Sequence, residues 1–533
     1  MPVHFLASAV SSTIPTEYWA SLAASFIAVS FLKTWSKGAK LLDPPPPSSS
    51  QSKATTTTTT TTTPPHPPLS SDALFTDLHG RIVLVASGAF TPLGVVTISA
   101  LAHRGAQIIA LTPDISDPEV IQMIHLIRDS TQSEMVYAEQ CDLASLESVS
   151  AFAALWNAGD KKQAQGVRRL DSLLFLPPSR YELDRVPLEQ HSKSKPNGGG
   201  TREAIYLLHV LSRFHLVNSL LSSLLVAPRD REIRIVSVLS PYYSAGLTLF
   251  DVLPSSPTSN STSSTSTIPT LQSLPSQSYT ALVGAASLRW HVLTCELQRR
   301  LNLLAEADPR PFTKLAGIDI DSSSATLSGF KASKEKKDQA QQAMRQHSNI
   351  SVINVCPGFE TNMDIIETFF PKPKRRFKTT FDLSQSDKDD SKAIDCASFN
   401  TNQLFLSIQY STLVILRLVV LLILFPVIWI FSKSSPTAAN SIVWATTRNL
   451  EPLSCRYNRT LTCNANESRK SQDPLSPGEL YREGRIIRPN LPTRFINNHK
   501  QAKQAWIDLW NFEEHQVELR INASGGSIKR PKI

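Results

Sequence analysis

"LHGRIVLVASGAFTPLGVVTISALAHRGAQIIAL", Leu78 to Leu111, decides how this chain reads. "RIVLVAS" (81–87) is short and apolar without alternation, which predicts a strand covered on both faces. The turn "SGAFTPLG", Ser87 to Gly94, follows it. A helix then runs to about Arg104, and "QIIAL" (107–111) is a second strand. A strand, a glycine-bearing turn, a helix and another strand make a βαβ unit.

The alternation continues outward from this unit. A helix near 117–130 leads to a strand in "EMVYAEQCDL" (134–143), and "LESVSAFAALWN" is helical. "LDSLLFL" (170–176), "IRIVSVLS" (233–240) and "ISVINVCPG" (350–358) read as further strands. Between them lie a long helix in "REAIYLLHVLSRFHLVNSLLSSLL" and another from Tyr279 to about Glu306. Strands alternating with helices predict an α/β fold, a doubly wound parallel sheet of Rossmann type.

The 533 residues exceed one ordinary domain, but Ser/Thr/Pro-rich tracts take a good share of them. Residues 1–42 read as an N-terminal membrane anchor, since Tyr18 to Leu32 carries no charge and Lys33, Lys37 and Lys40 follow. Positive charge on that side places the following domain in the cytosol. Residues 43–70 form a linker with almost no apolar side chains to offset chain entropy. The globular domain spans 71–400, with polar insertions at 254–277 and 307–348. Residues 401–433 hold "LVVLLILFPVIWIF", an apolar run short for a span of roughly 20 residues and better suited to an interfacial or re-entrant helix, with a second span as the alternative. Residues 434–533 read as a helical region completing or capping the domain. The endoplasmic reticulum is the expected membrane, with the mitochondrial outer membrane as the alternative.

The net charge is +9 and collects in patches such as "KPKRRFK", Lys372 to Lys378. No stacking aromatics are interleaved with these patches, so no nucleic-acid partner is expected. Six cysteines are scattered without CxxC or zinc spacing, which predicts reduced thiols and no metal site.

At the first turn, Gly88 and Gly94 sit where a phosphate could approach backbone N–H groups at a helix start. Pro92 stands between them and supplies no N–H. The Leu78–Leu111 stretch resembles the opening of the short-chain dehydrogenase/reductase superfamily. The likeness runs in order over most of 78–365. It is closest to fungal membrane-anchored proteins of unknown function that carry such a domain.

The resemblance implies NAD(P)H as cofactor, held by Ser87, Gly88, Gly94, Asp142, Pro357, Gly358 and Thr361. It implies Ser240 and Tyr279 as the catalytic pair. Asp142 matches the acidic residue at the adenine, and "PGFETNM" (Pro357 to Met363) the loop near the nicotinamide. The implied activity is an atypical dehydrogenase/reductase on a lipophilic carbonyl or alcohol. A homodimer is compatible with it.

The departures lie at one cleft. The family's NNAG stretch is "FLPP" (Phe175 to Pro178), its helix asparagine is His209, and its lysine four residues after the tyrosine is Val283. A phenol has an intrinsic pKa of about 10 and needs a nearby cation to work as acid and base near neutrality. Val283 supplies none, whereas His209 could carry a charge in a second shell. Each matched residue also has a plain structural reading: Tyr279 as a helix-start packing residue, Ser240 as a strand-end cap, Asp142 as a helix N-cap. An inactive scaffold, or a nucleotide- or lipid-binding protein, is therefore the alternative function. "LTPD" after the second strand does not separate NAD from NADP.

Overall fold

In the computed structural model, residues 17–39, 41–42, 75–159, 168–186, 199–228, 231–251, 278–307, 348–360, 401–450, 475–496 and 499–523 are described. Thr361, Cys396, Cys455, Cys463, the linker and the bulk of both insertions lie outside them. The chain divides into two units, 1–37 with 360–433, and 38–359 with 434–533.

The larger unit is built on a sheet of eight strands: β1 Ile82–Ser87, β2 Gln107–Thr112, β3 Val136–Gln140, β4 Ser172–Phe175, β5 Ile233–Val238, β6 Ile350–Val355, β7 Leu480–Arg482 and β8 Arg485–Ile487. Their order is β3-β2-β1-β4-β5-β6-β7-β8. All neighbours are parallel except β7 and β8, a hairpin on the β6 edge. Six strands thus follow the doubly wound order of dinucleotide-binding sheets. Every residue of β5 and β6 is buried, as strands covered by helices on both faces require.

One face carries α2 Pro92–Ala102, α3 Pro118–Thr131 and α10 Ser435–Thr447, packed on Val83, Val85, Val236 and Ile353. Side chains such as Trp444 and Ile442 are fully buried there. Full burial stabilises by about 1.5–3 kcal/mol per large apolar side chain. α10 lies at the start of residues 434–533 and packs into the core. Arg234 of β5 reaches across to donate to the Ala445 and Thr446 carbonyls (3.0 and 2.7 Å), which ties the helix end to the sheet.

The other face carries α4 Leu146–Ala158, α6 Gly199–Tyr206, a π-helical turn Leu207–Leu211, α7 Ser212–Val226, α8 Tyr279–Ala307 and α11 His499–Ala523. α11 seals this face with Leu509, Trp510, Val517 and Ile521. Its buried Glu513 accepts from Arg289 and Tyr206. Thr201–Val226 is long and apolar enough to cross a membrane, but it is a core helix, 83% buried over its apolar window.

Two sequence expectations change, and one element is added. The C-terminal region is not purely helical, because the β7–β8 hairpin extends the sheet; three-residue strands leave almost no periodicity to read. The N-cap of α4 is Ser145, not Asp142. Asp142 instead accepts from the Ala144 N–H (2.9 Å) in a tight turn before the helix. The short helix α5, Arg180–Asp184, follows "FLPP".

The smaller unit contains α1 Glu17–Ser36 and α9 Thr401–Phe431, the latter with Pro426 inside it.

Candidate functional site

The carboxyl ends of β1, β4, β5 and β6 lie along one edge of the parallel sheet, the side where doubly wound sheets bind ligands. At the β1 end the chain turns through Gly88 at φ +64°. A Cβ there would strike the Pro177 carbonyl, and one at Gly94 would strike the Gly88 carbonyl. Glycine is needed because two backbones meet.

The polar groups of this turn are already engaged. Ser87 Oγ donates to the Leu176 carbonyl (2.6 Å). Thr91 Oγ1 caps α2, donating to the Gly88 carbonyl (2.7 Å) and accepting from the Gly94 N–H (3.1 Å). Pro92 has no N–H to offer. The Gly88 N–H interacts with the Glu182 carboxylate of α5. A carboxylate of the chain itself therefore sits where a phosphate would approach.

Glu182 is partly exposed as a residue, but its Oε2 is sealed and has no hydrogen-bond partner among the described residues. Burial pushes it up to about 7, against the pull of Ser179, Arg213 and the Gly88 N–H. Arg213 is buried beside it, donates to the Leu176 carbonyl (2.8 Å) and lies over the Phe175 ring. Burial pulls that guanidinium down to about 10. Neither residue had been anticipated from sequence. An arginine alone in the apolar run "HVLSRFHLV" was the available signal, since a buried cation needs a buried partner.

Asp142 lines a cavity of about 20 Å³ together with Ala86, Leu111, Cys141, Glu182 and Arg185. That volume holds about one water molecule. The Gly88–Gly94 turn and Asp142 follow the carboxyl ends of β1 and β3, and as arranged the turn does not fit a pyrophosphate. Glu182 occupies the turn that a pyrophosphate would use.

At the β5 end, Ser240 caps the 3-10 helix Pro241–Leu249 by accepting from the Tyr242 N–H (3.3 Å). Its own N–H donates to Ser287 Oγ of α8 (3.2 Å). Gly246 and Gly284 press this 3-10 helix onto α8, so that a Cβ on Gly284 would overlap the Tyr242 carbonyl. Tyr279 opens α8, partly buried and packed against the core. Val283 is 7% exposed in the same core, with apolar surroundings and no cation in the family lysine's place.

Tyr242 had also gone unread. Its ring meets Phe359 edge-on at 5.5 Å, and its buried hydroxyl has no hydrogen-bond partner among the described residues. Burial raises its pKa. Pro357 and Gly358 are buried at the end of β6, Gly358 with φ +97°.

His209 lies in the π-helical turn, where burial and then the Arg213 charge hold it down to about 3. It is neutral, which corrects the expectation that it could carry a charge. Cys141, Cys295 and Cys356 are free thiols, and no metal-binding cluster occurs among the described residues.

No family model matches the chain. It is 29% identical over 161 residues to the uncharacterized oxidoreductase YNL181W of Saccharomyces cerevisiae, 30% of this chain and 37% of that protein. It is 27% identical over 239 residues to the uncharacterized oxidoreductase pbr1 of Schizosaccharomyces pombe, 44% of this chain and 54% of that protein. The matches thus span about half or less of these curated relatives. Among solved structures, Pseudomonas aeruginosa RhlG with NADP aligns at 16% identity over 53% of this chain and 74% of that one, TM-score 0.29. A short-chain dehydrogenase of Salmonella enterica aligns at 15% identity over 55% and 83%, TM-score 0.30.

Proposed function

For this divergent relative of the short-chain dehydrogenases/reductases, we propose a membrane-associated oxidoreductase acting on a lipophilic carbonyl or alcohol, with NAD(P)H as the expected reductant. The observation that carries the reading is the β5–α8 corner. Ser240 and Tyr279 stand at the carboxyl edge of a Rossmann sheet in a chain related to oxidoreductases. Ser240 Oγ accepts from the Tyr242 N–H, which leaves its O–H the group that would polarise a carbonyl oxygen. Tyr279 would then hand that oxygen a proton. No step is routed through a dinucleotide, since Glu182 must first leave the β1 turn.

The apolar helices α1 and α9 suit a bilayer, with the core facing the cytosol and the endoplasmic reticulum as the membrane. A lipophilic substrate fits that setting. Glycan attached at Asn458 would contradict the cytosolic side.

The second reading is a binding domain without chemistry, and buried Val283 favours it. Val283 supplies no cation to draw a phenol toward its phenolate near neutrality, which a proton relay needs. NADPH fluorescence titration of the full chain separates the two readings. Binding, with reductase turnover that falls at least tenfold in Tyr279→Phe and rises in Val283→Lys, supports the enzyme. Absence of binding at millimolar cofactor supports the second reading.

A further inference from the structure

The smaller unit leaves and returns to one place. Glu360 forms a bridge with Lys433, so the chain that departs after β6 comes back beside its own point of departure. Between them stands α9, Thr401–Phe431, 31 residues long. At 1.5 Å per residue this helix is about 46 Å from end to end. Its last turn is also the place where α1 ends. Lys33 donates from Nζ to the Trp429 and Ser432 carbonyls, the latter at 2.9 Å, and lies over the Trp429 indole at 4.5 Å. Three passages of the chain, at Lys33, Glu360 and Lys433, therefore meet at one end of α9.

This closure restricts what α9 can do in a bilayer. If it crossed, Thr401 would stand on the far side, and residues 361–400 would have to cross as well to reach it. They carry seven Lys or Arg and seven Asp or Glu, with no uncharged stretch approaching the roughly 20 apolar residues a crossing needs. Charged chain with unpaired backbone is not accommodated in hydrocarbon.

Yet α9 is built for lipid. Ile415, Leu418, Leu422, Phe425 and Trp429 form a stripe along one side, each between 43% and 69% exposed. Arg417 is the helix's sole residue among Asp, Glu, Lys, Arg and His. Trp35 on α1 and Trp429 on α9, beside Lys33, put indoles and a cation at the end where the chain passes come together, the residues that anchor helices at a membrane surface.

We propose that α9 is monotopic: it lies in a single leaflet of a lipid bilayer, enters and leaves from one face, and does not cross. The inference rests on the membrane association proposed above and specifies its geometry. It makes the α9 stripe the lipid-binding surface and keeps residues 361–400 on the same side as the C-terminal helix α11.

The test uses the full chain in sealed microsomes. Membrane association is read first, by retention in the pellet after alkaline carbonate washing. Ser386→Cys and Leu422→Cys are then probed separately with a membrane-impermeant maleimide, in a parent with Cys396, Cys455 and Cys463 replaced by serine and with labelling read as the increment over that parent, next to a C-terminal epitope whose side is read by protease. The expected result is retention in the pellet, Ser386→Cys labelled without detergent from the epitope's side, and Leu422→Cys labelled at least tenfold less. An acceptor site made by Asp387→Asn with Asp389→Ser should stay unglycosylated. Glycan on that site, or labelling of Ser386→Cys only after detergent, means that α9 crosses and overturns the proposal while membrane association stands. Free labelling of Leu422→Cys on a retained protein also overturns it. Release of the whole protein by carbonate overturns association and proposal together, and protection of Leu422→Cys in that soluble form identifies a protein partner or second copy as the occupant of the stripe.

Discussion

The β1 and β5 ends of the sheet edge have diverged differently. At the β1 end, the groups that would meet a phosphate are all spoken for: Gly94 by Thr91, Ser87 by Leu176, Gly88 by Glu182. At the β5 end, Ser240 Oγ accepts from the Tyr242 N–H, and Tyr242 keeps a hydroxyl with no partner among the described residues. One end has been satisfied from within the chain, while the other retains polar capacity. Both retain their glycines, because backbone-to-backbone packing demands them whether or not a ligand comes. In this chain packing has preserved the frame, and only a ligand could have preserved the chemistry.

Substitutions can break or sharpen that contrast. The largest effect is expected at the β5 end, from Gly284→Val. Its side chain would enter the Tyr242 backbone, which cannot yield as a rotamer can. A loss of about 3 kcal/mol is expected in chemical denaturation, with Ser240 pulled from Ser287. An unchanged midpoint would show the 3-10 helix to be loosely attached.

At the β1 end, Glu182→Gln tests the internal carboxylate through pH. Glu182 is raised from 4.5 to about 7, so the folded state holds its proton over a range where the unfolded state has released it. Folding then binds protons, and wild-type stability should fall as pH rises from about 4.5 to about 7. The loss is on the order of 3 kcal/mol at most. The amide variant should flatten that slope, and equal slopes in the two proteins would remove Glu182 from the turn. Thr91→Ala should cost about 1 kcal/mol as a lost helix cap, and it frees the Gly94 N–H. The smallest effect is expected from Tyr242→Phe, within about 0.5 kcal/mol of wild type or slightly stabilising, because the hydroxyl it removes is buried without a partner among the described residues. A large loss of stability would reveal a bond at that hydroxyl and make the two ends alike.

The sheet was legible in sequence because its strands are buried on both faces and so read as unbroken apolar runs. β1, β2, β5 and β6 fall within a few residues of the expected positions. The hairpin was not legible, since Leu480–Arg482 and Arg485–Ile487 pair by location rather than by pattern. Val283 could be read as a missing cation from spacing alone. Glu182 could not be read as its counterpart at the other end, because "SRYELD" looks like any exposed helical turn until Arg213 and Gly88 are brought beside it. A motif announces what a ligand would need, whereas a substitute for the ligand comes from elsewhere in the chain.

The β7 strand sets an order of events during synthesis. β6 ends at Val355 and its partner begins at Leu480, so 125 residues (480 minus 355) must be made before the sheet's growing edge is covered. α9 emerges from the ribosome inside that interval. An uncovered parallel edge invites pairing with other chains. On the proposed membrane association, a nascent chain whose α9 had entered lipid would be held away from other nascent chains while that edge waits, and truncations ending between α10 and β7 should aggregate more than truncations ending after β8.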